Sequence, residues 1–179
     1  MSSRNNHQLE VGDRAHRIVA AALRTGQLQT RSASAITLTR CGRQVFSDNP
    51  IEYRSRESFL DAVTAAGVYL HRFRPTGDWS LMADEFVAGN SRFDLVHCDP
   101  KGTMLIDELK LGVSRTGEAV VREQIDRYLE NGSRLWGSSF VGVRLCAVHE
   151  PLQSRLYLPN RKRSLLLTDA GLAEGLCIR

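Results

Sequence analysis

Several features that would place a chain outside the ordinary globular class are missing from this sequence. No apolar run approaches the roughly 20 residues that a membrane-spanning helix needs, so no membrane association is expected. The opening stretch MSSRNNHQLEVGDRAHR has no apolar centre of the kind a secretory signal requires, which makes a cytoplasmic protein the expectation. None of the four cysteines (Cys41, Cys98, Cys146 and Cys177) belongs to a CxxC pair, and that argues against structural zinc. Reduced, mostly buried thiols are expected instead. There is no internal repeat, no low-complexity tract and no long linker.

What is present fits one hydrophobic core. The chain has 179 residues, 42% hydrophobic and 25% charged, which suits a single domain over 1–179. A net charge of +4 and a sequence pI of about 9.1 are compatible with a polyanionic partner without demanding one.

Periodicity gives a coarse map. Helical spacing runs from about Gln8 to Arg24, with Gly26 as a stop. The segment SAITLTRCGRQVFSD reads as two short strands around a Cys41-Gly42 turn. A second amphipathic helix covers Ser55 to Tyr69, capped by Ser55 or Ser58. Three strand-like runs follow, WSLMADEFVAG, SRFDLVHCD and TMLIDELKLG, separated by turn signals at Gly89-Asn90 and Asp99–Gly102. Tight connections imply an antiparallel meander. A helix from Gly117 to Glu130 is expected to stop at Asn131-Gly132. Two further strands lie in FVGVRLCAVHE and SRLYLP, and a short helix-like end closes the chain. The fold class is α/β: a mixed central sheet flanked by helices.

Chemistry concentrates in IDELKLG. Side chains alternate along a strand, so Glu108 and Lys110 share one face while Asp107 and Leu109 share the other. An acid and an ammonium in an otherwise apolar strand need something to balance them. An ordinary hairpin salt bridge would do so, and so would a bound cation. Asp94 lies across the Asp99–Gly102 turn, where it can approach Glu108. Two neighbouring carboxylates repel unless a divalent ion lies between them.

Such a centre matches the needs of phosphodiester hydrolysis. A carboxylate-held Mg²⁺ or Mn²⁺ acidifies the attacking water and polarises the phosphoryl oxygen, and a lysine beside it stabilises developing charge. Gln124 and Tyr128, four apart on the next helix, project together. They are suited to a phosphate or a metal-bound water, or else are a surface Gln beside a half-buried Tyr. Gly12 and His16 share a face of the first helix. His16 is either a nitrogen ligand or a packing histidine, with Glu10 a lesser substitute, and Gly12 would allow a close backbone approach.

The series Gly12-x-x-x-His16, Asp94, Glu108-x-Lys110 and Gln124-x-x-x-Tyr128 resembles the motifs of RecB-like nucleases within the PD-(D/E)xK superfamily. Their order and separations span residues 12 to 128. The resemblance implies a restriction-endonuclease-like core and a Mg²⁺- or Mn²⁺-dependent deoxyribonuclease acting in repair, recombination or defence against foreign DNA. It implies His16, Asp94 and Glu108 as metal ligands, with the Leu109 carbonyl a further one. Lys110 would be the catalytic lysine, and Gln124 and Tyr128 would position substrate or water. Phe93 stands where the superfamily's name has proline. The scattered cysteines do not match the iron–sulfur branch, so no cluster is expected. Without a Walker A sequence, a helicase or ATPase partner, or a defence-system subunit, would be a separate chain. DNA is the expected partner, with RNA and a homo-oligomer left open. The competing reading is a catalytically inactive nucleic-acid-binding or assembly subunit with the same fold.

Basic residues offer a route for a phosphate backbone. Arg115, Arg122, Arg127 and Arg134 surround the Gln124/Tyr128 helix, and the last 29 residues carry a local surplus of three positive charges.

Overall fold

The computed structural model describes residues 2–25, 35–47, 56–75, 78–112, 118–161 and 163–167. They form two compact units, Met1–Arg74 and Pro75–Arg179. Among the described residues no helix is long and apolar enough to cross a membrane.

The first unit is helical: α1 (Ser2–Arg24), α2 (Ala35–Ser47) and α3 (Arg56–Arg72). The α1 periodicity holds, with Ala15, Ile18, Val19 and Ala22 fully buried. Gly26, the expected stop, lies outside the described residues.

The two strands expected around Cys41-Gly42 are instead the single helix α2. Leu38, Cys41 and Val45 are its buried residues, at helical spacing, so the correct period was 3.6 and not 2. Gly42 serves packing, not a turn. A Cβ there would come 2.8 Å from Val63 Cγ2 and 3.0 Å from the Phe59 ring, so the glycine lets α2 and α3 approach closely.

Glu57 occupies the first turn of α3, where a carboxylate favours the helix dipole. Ser58 is buried inside the helix and does not cap it, and Ser55 lies outside the described residues. A Cβ on Gly12 would meet nothing within 4 Å among the described residues, so no close approach depends on that glycine.

The second unit is a six-stranded mixed sheet in the order β1-β2-β3-β4-β5-β6, and the chain as a whole is α/β. Strands β1 (Ser80–Ala88), β2 (Ser91–Cys98) and β3 (Met104–Lys110) form the antiparallel meander. Helix α4 (Glu118–Trp136) carries the chain to β4 (Phe140–Ala147), which pairs parallel with β3. Antiparallel β5 (Arg155–Tyr157) and β6 (Leu165–Leu166) complete the sheet. The helix-like end after 167 lies outside the described residues.

Helix α4 does not stop at Asn131-Gly132. Both residues are buried and spent on packing: a Cβ on Gly132 would fall 2.5 Å from the Phe140 ring. The Asn131 side-chain amide donates to Ser91 Oγ at 2.8 Å, while its oxygen accepts from Arg134 at 2.7 Å. Tertiary partners therefore override the stop signal.

The α4 face of the sheet holds a core of Phe93, Val96, Ile106, Ile125, Tyr128, Phe140 and Val143, with Phe93 edge-on to Tyr128 at 4.8 Å. This contact roots α4 on the strands that carry the acidic residues. Cys41 and Cys146 are buried thiols and Cys98 is half-buried, all three free; Cys177 lies outside the described residues.

Candidate metal centre

Strand register sets the site. Leu95 pairs with Asp107, so the next step along the antiparallel ladder places Asp94 opposite Glu108. Asp94 Oδ2 accepts a 2.9 Å hydrogen bond from the Leu109 N–H, which locks the carboxylate to β3. The expected hairpin juxtaposition of Asp94 and Glu108 is present.

Glu108 is almost fully buried. Its Oε1 accepts from Gln124 Nε2 at 2.9 Å and faces Lys110 Nζ at 2.5 Å. Its Oε2 is buried too, with no hydrogen-bond partner among the described residues. A buried carboxylate oxygen without a donor carries a desolvation cost that a proton shared with Asp94, or a bound cation, would offset.

Gln124 and Tyr128 act as one unit. The Gln124 amide also donates to the Tyr128 hydroxyl at 2.8 Å, and that hydroxyl donates to the Arg92 carbonyl, two residues before Asp94. Helix α4 therefore holds the β3 acid directly and the β2 acid through its backbone.

The acidities follow from this crowding. Burial, then repulsion from Asp94, pushes Glu108 up to about 7, although Lys110 pulls against them. Burial raises Asp94 to about 6 against the Leu109 N–H, Lys110 and Arg92. Burial works against the Lys110 ammonium, but Glu108 and Asp94 outweigh it and hold its pKa above the usual value. Burial and the two carboxylates push Tyr128 upward, so its hydroxyl stays protonated. The Lys110 side chain is 32% exposed and opens the cluster to solvent.

The opposite face of β3 carries a network that sequence reasoning missed. Buried Asp107 receives Arg144 Nε at 2.6 Å and a second guanidinium nitrogen, with His97 Nε2 at 3.3 Å. Burial opposes the Asp107 charge, but Arg144 and His97 more than offset it and hold its carboxyl well below the usual range. The signal was there: Arg144 is a lone charge in the apolar run FVGVRLCAV.

Asp94, Glu108, Lys110, Gln124 and Tyr128 thus converge within the second unit, with the Leu109 backbone beside them. His16 belongs to the first unit, buried on α1.

The donor set suits a hard divalent cation: an oxygen of Glu108 without a donor, and a second carboxylate beside it. No protein-family model, curated protein or solved structure matches the chain.

Proposed function

We propose that this chain is a metal-dependent nuclease of the PD-(D/E)xK superfamily, RecB-like branch, built on a restriction-endonuclease-like core and hydrolysing DNA phosphodiester bonds. The observation that carries this reading is Glu108 Oε2, a buried carboxylate oxygen without a donor, set beside a second carboxylate and an ammonium. A cation relieves the repulsion and supplies the missing partner at once. Asp94 and Glu108 are its proposed ligands, with the Leu109 carbonyl a further one from the same strand as Glu108.

Mg²⁺ or Mn²⁺ held there supplies an acidified water and polarisation of a phosphoryl oxygen. The chain's own residues do the rest. Gln124 pins Glu108 Oε1, which leaves Oε2 as the oxygen that would meet an ion. The Lys110 ammonium stabilises negative charge growing on the phosphorus oxygens. Tyr128, kept protonated, is a donor and an anchor rather than a base.

Incubating the protein with Mg²⁺ or Mn²⁺ and labelled linear, circular and single-stranded DNA tests the reading. Metal-dependent cleavage is expected, falling about 10²–10³-fold in Lys110→Ala with folding intact. Binding without cleavage under either metal would instead make the chain an inactive nucleic-acid-binding or assembly subunit.

A further inference from the structure

We infer that Asp107, Arg144 and His97 are positioning residues: they fix the register of β2, β3 and β4, and through it hold Asp94 across from Glu108 at the metal centre; this rests on the nuclease reading above. Asp107 directly precedes Glu108 on β3 and is fully buried on the opposite face of the sheet. It pairs with Leu95, the neighbour of Asp94 on β2, and with Arg144 on β4. His97 reaches it diagonally from β2, where its own partner is Leu105. One carboxylate therefore ties three adjacent strands at the step next to the acidic pair.

Hydrophobic alternation cannot set this register by itself. A strand repeats every two residues, so a slip of two along β3 keeps each side chain on its own face. Leu105 or Leu109 would then take the place of Asp107, and Ile106 or Lys110 would stand opposite Asp94 in place of Glu108. The charges forbid that slip. It would carry Asp107 away from the buried Arg144 and leave a guanidinium in the interior without its carboxylate.

A buried ion pair is a weak source of stability, since apolar residues of similar volume hold a core as well or better; setting register is its best-attested use. The contacts are those of a fixed tie. Arg144 Nε donates to Asp107 Oδ1 at 2.6 Å, a second guanidinium nitrogen donates to Oδ2, and His97 Nε2 lies 3.3 Å from that same oxygen. An ion held by carboxylates from two strands depends on their separation being set before it binds. None of the three side chains needs to touch the ion.

The test sets a triple variant (His97→Leu, Asp107→Leu and Arg144→Met) beside the wild type, with Gly132→Ala as a control destabilised on the α4 face of the sheet. Readouts are urea unfolding in EDTA, Mn²⁺ titration by calorimetry, and DNA cleavage across Mn²⁺ concentration. The triple variant should unfold at the wild-type urea midpoint or above it, yet bind Mn²⁺ about 10- to 100-fold more weakly. The Mn²⁺ concentration giving half-maximal cleavage should rise by the same factor, with KM for DNA unchanged. Gly132→Ala should bind Mn²⁺ as the wild type does. His97→Ala should also lose Mn²⁺ affinity, and His97→Gln should recover most of it, because an amide nitrogen can donate to Asp107 from the same reach. That pair decides the matter if the triple variant fails to fold. Wild-type Mn²⁺ affinity in a folded triple variant or in His97→Ala, an equal loss in Gly132→Ala, or His97→Gln no better than His97→Ala would overturn this inference and leave the nuclease reading standing. A wild-type protein that neither binds Mn²⁺ nor cleaves DNA would overturn both.

Discussion

Replacing Glu108 by glutamine should stabilise the metal-free protein at alkaline pH while abolishing the proposed activity. Glu108 is raised from 4.5 to about 7 by burial and by Asp94, net of the help from Lys110. A carboxyl with a raised folded-state pKa contributes stability that is present below its unfolded value and lost as pH rises through the folded one. The window therefore runs from about pH 4.5 to about pH 7. At roughly 1.4 kcal/mol per tenfold change, full ionisation of Glu108 costs on the order of 3 kcal/mol. The amide introduced by Glu108→Gln would keep an oxygen for Gln124 and turn its nitrogen toward Asp94, so repulsion becomes a hydrogen bond. The assay is urea unfolding of both proteins in EDTA at intervals from pH 4.5 to 8.5, read as a stability difference so that unrelated groups cancel. The variant should gain about 3 kcal/mol on the wild type between the two ends, equivalent to roughly 6–12 °C in Tm for a chain of this size. A flat difference, or a variant less stable at pH 8.5, would refute the electrostatic reasoning.

Other outcomes follow from the same geometry. Mn²⁺ should raise Tm more at pH 8 than at pH 5.5, because protons compete for Asp94 and Glu108 below about pH 6 to 7; thermal melts across metal concentration check this. Asp107→Ala leaves the Arg144 charge buried without its carboxylate, and denaturant unfolding should show a loss of about 3–5 kcal/mol. Gly132→Ala drives a methyl into the Phe140 ring and should cost about 1–3 kcal/mol in the same assay.

The parts of the site legible in the sequence were those set by short-range rules. Alternation put Glu108 and Lys110 on one face, the Asp99–Gly102 turn brought Asp94 opposite, and helical spacing paired Gln124 with Tyr128. Residues chosen for long-range packing were read wrongly. Gly42 resembles a turn glycine until Val63 and Phe59 are placed against it, and Gly132 resembles a stop until Phe140 is. Partners distant in sequence were invisible for the same reason. Nothing local tells that Arg144 meets Asp107, or that Tyr128 holds the carbonyl of Arg92, 36 residues away.

Anomalous diffraction from crystals grown with Mn²⁺ reaches the proposal at its root. The account requires a single strong peak within roughly 2.0–2.6 Å of Glu108 Oε2 and of an Asp94 oxygen. Crystals that bind Mn²⁺ elsewhere, with the space between those two carboxylates bare, would contradict it.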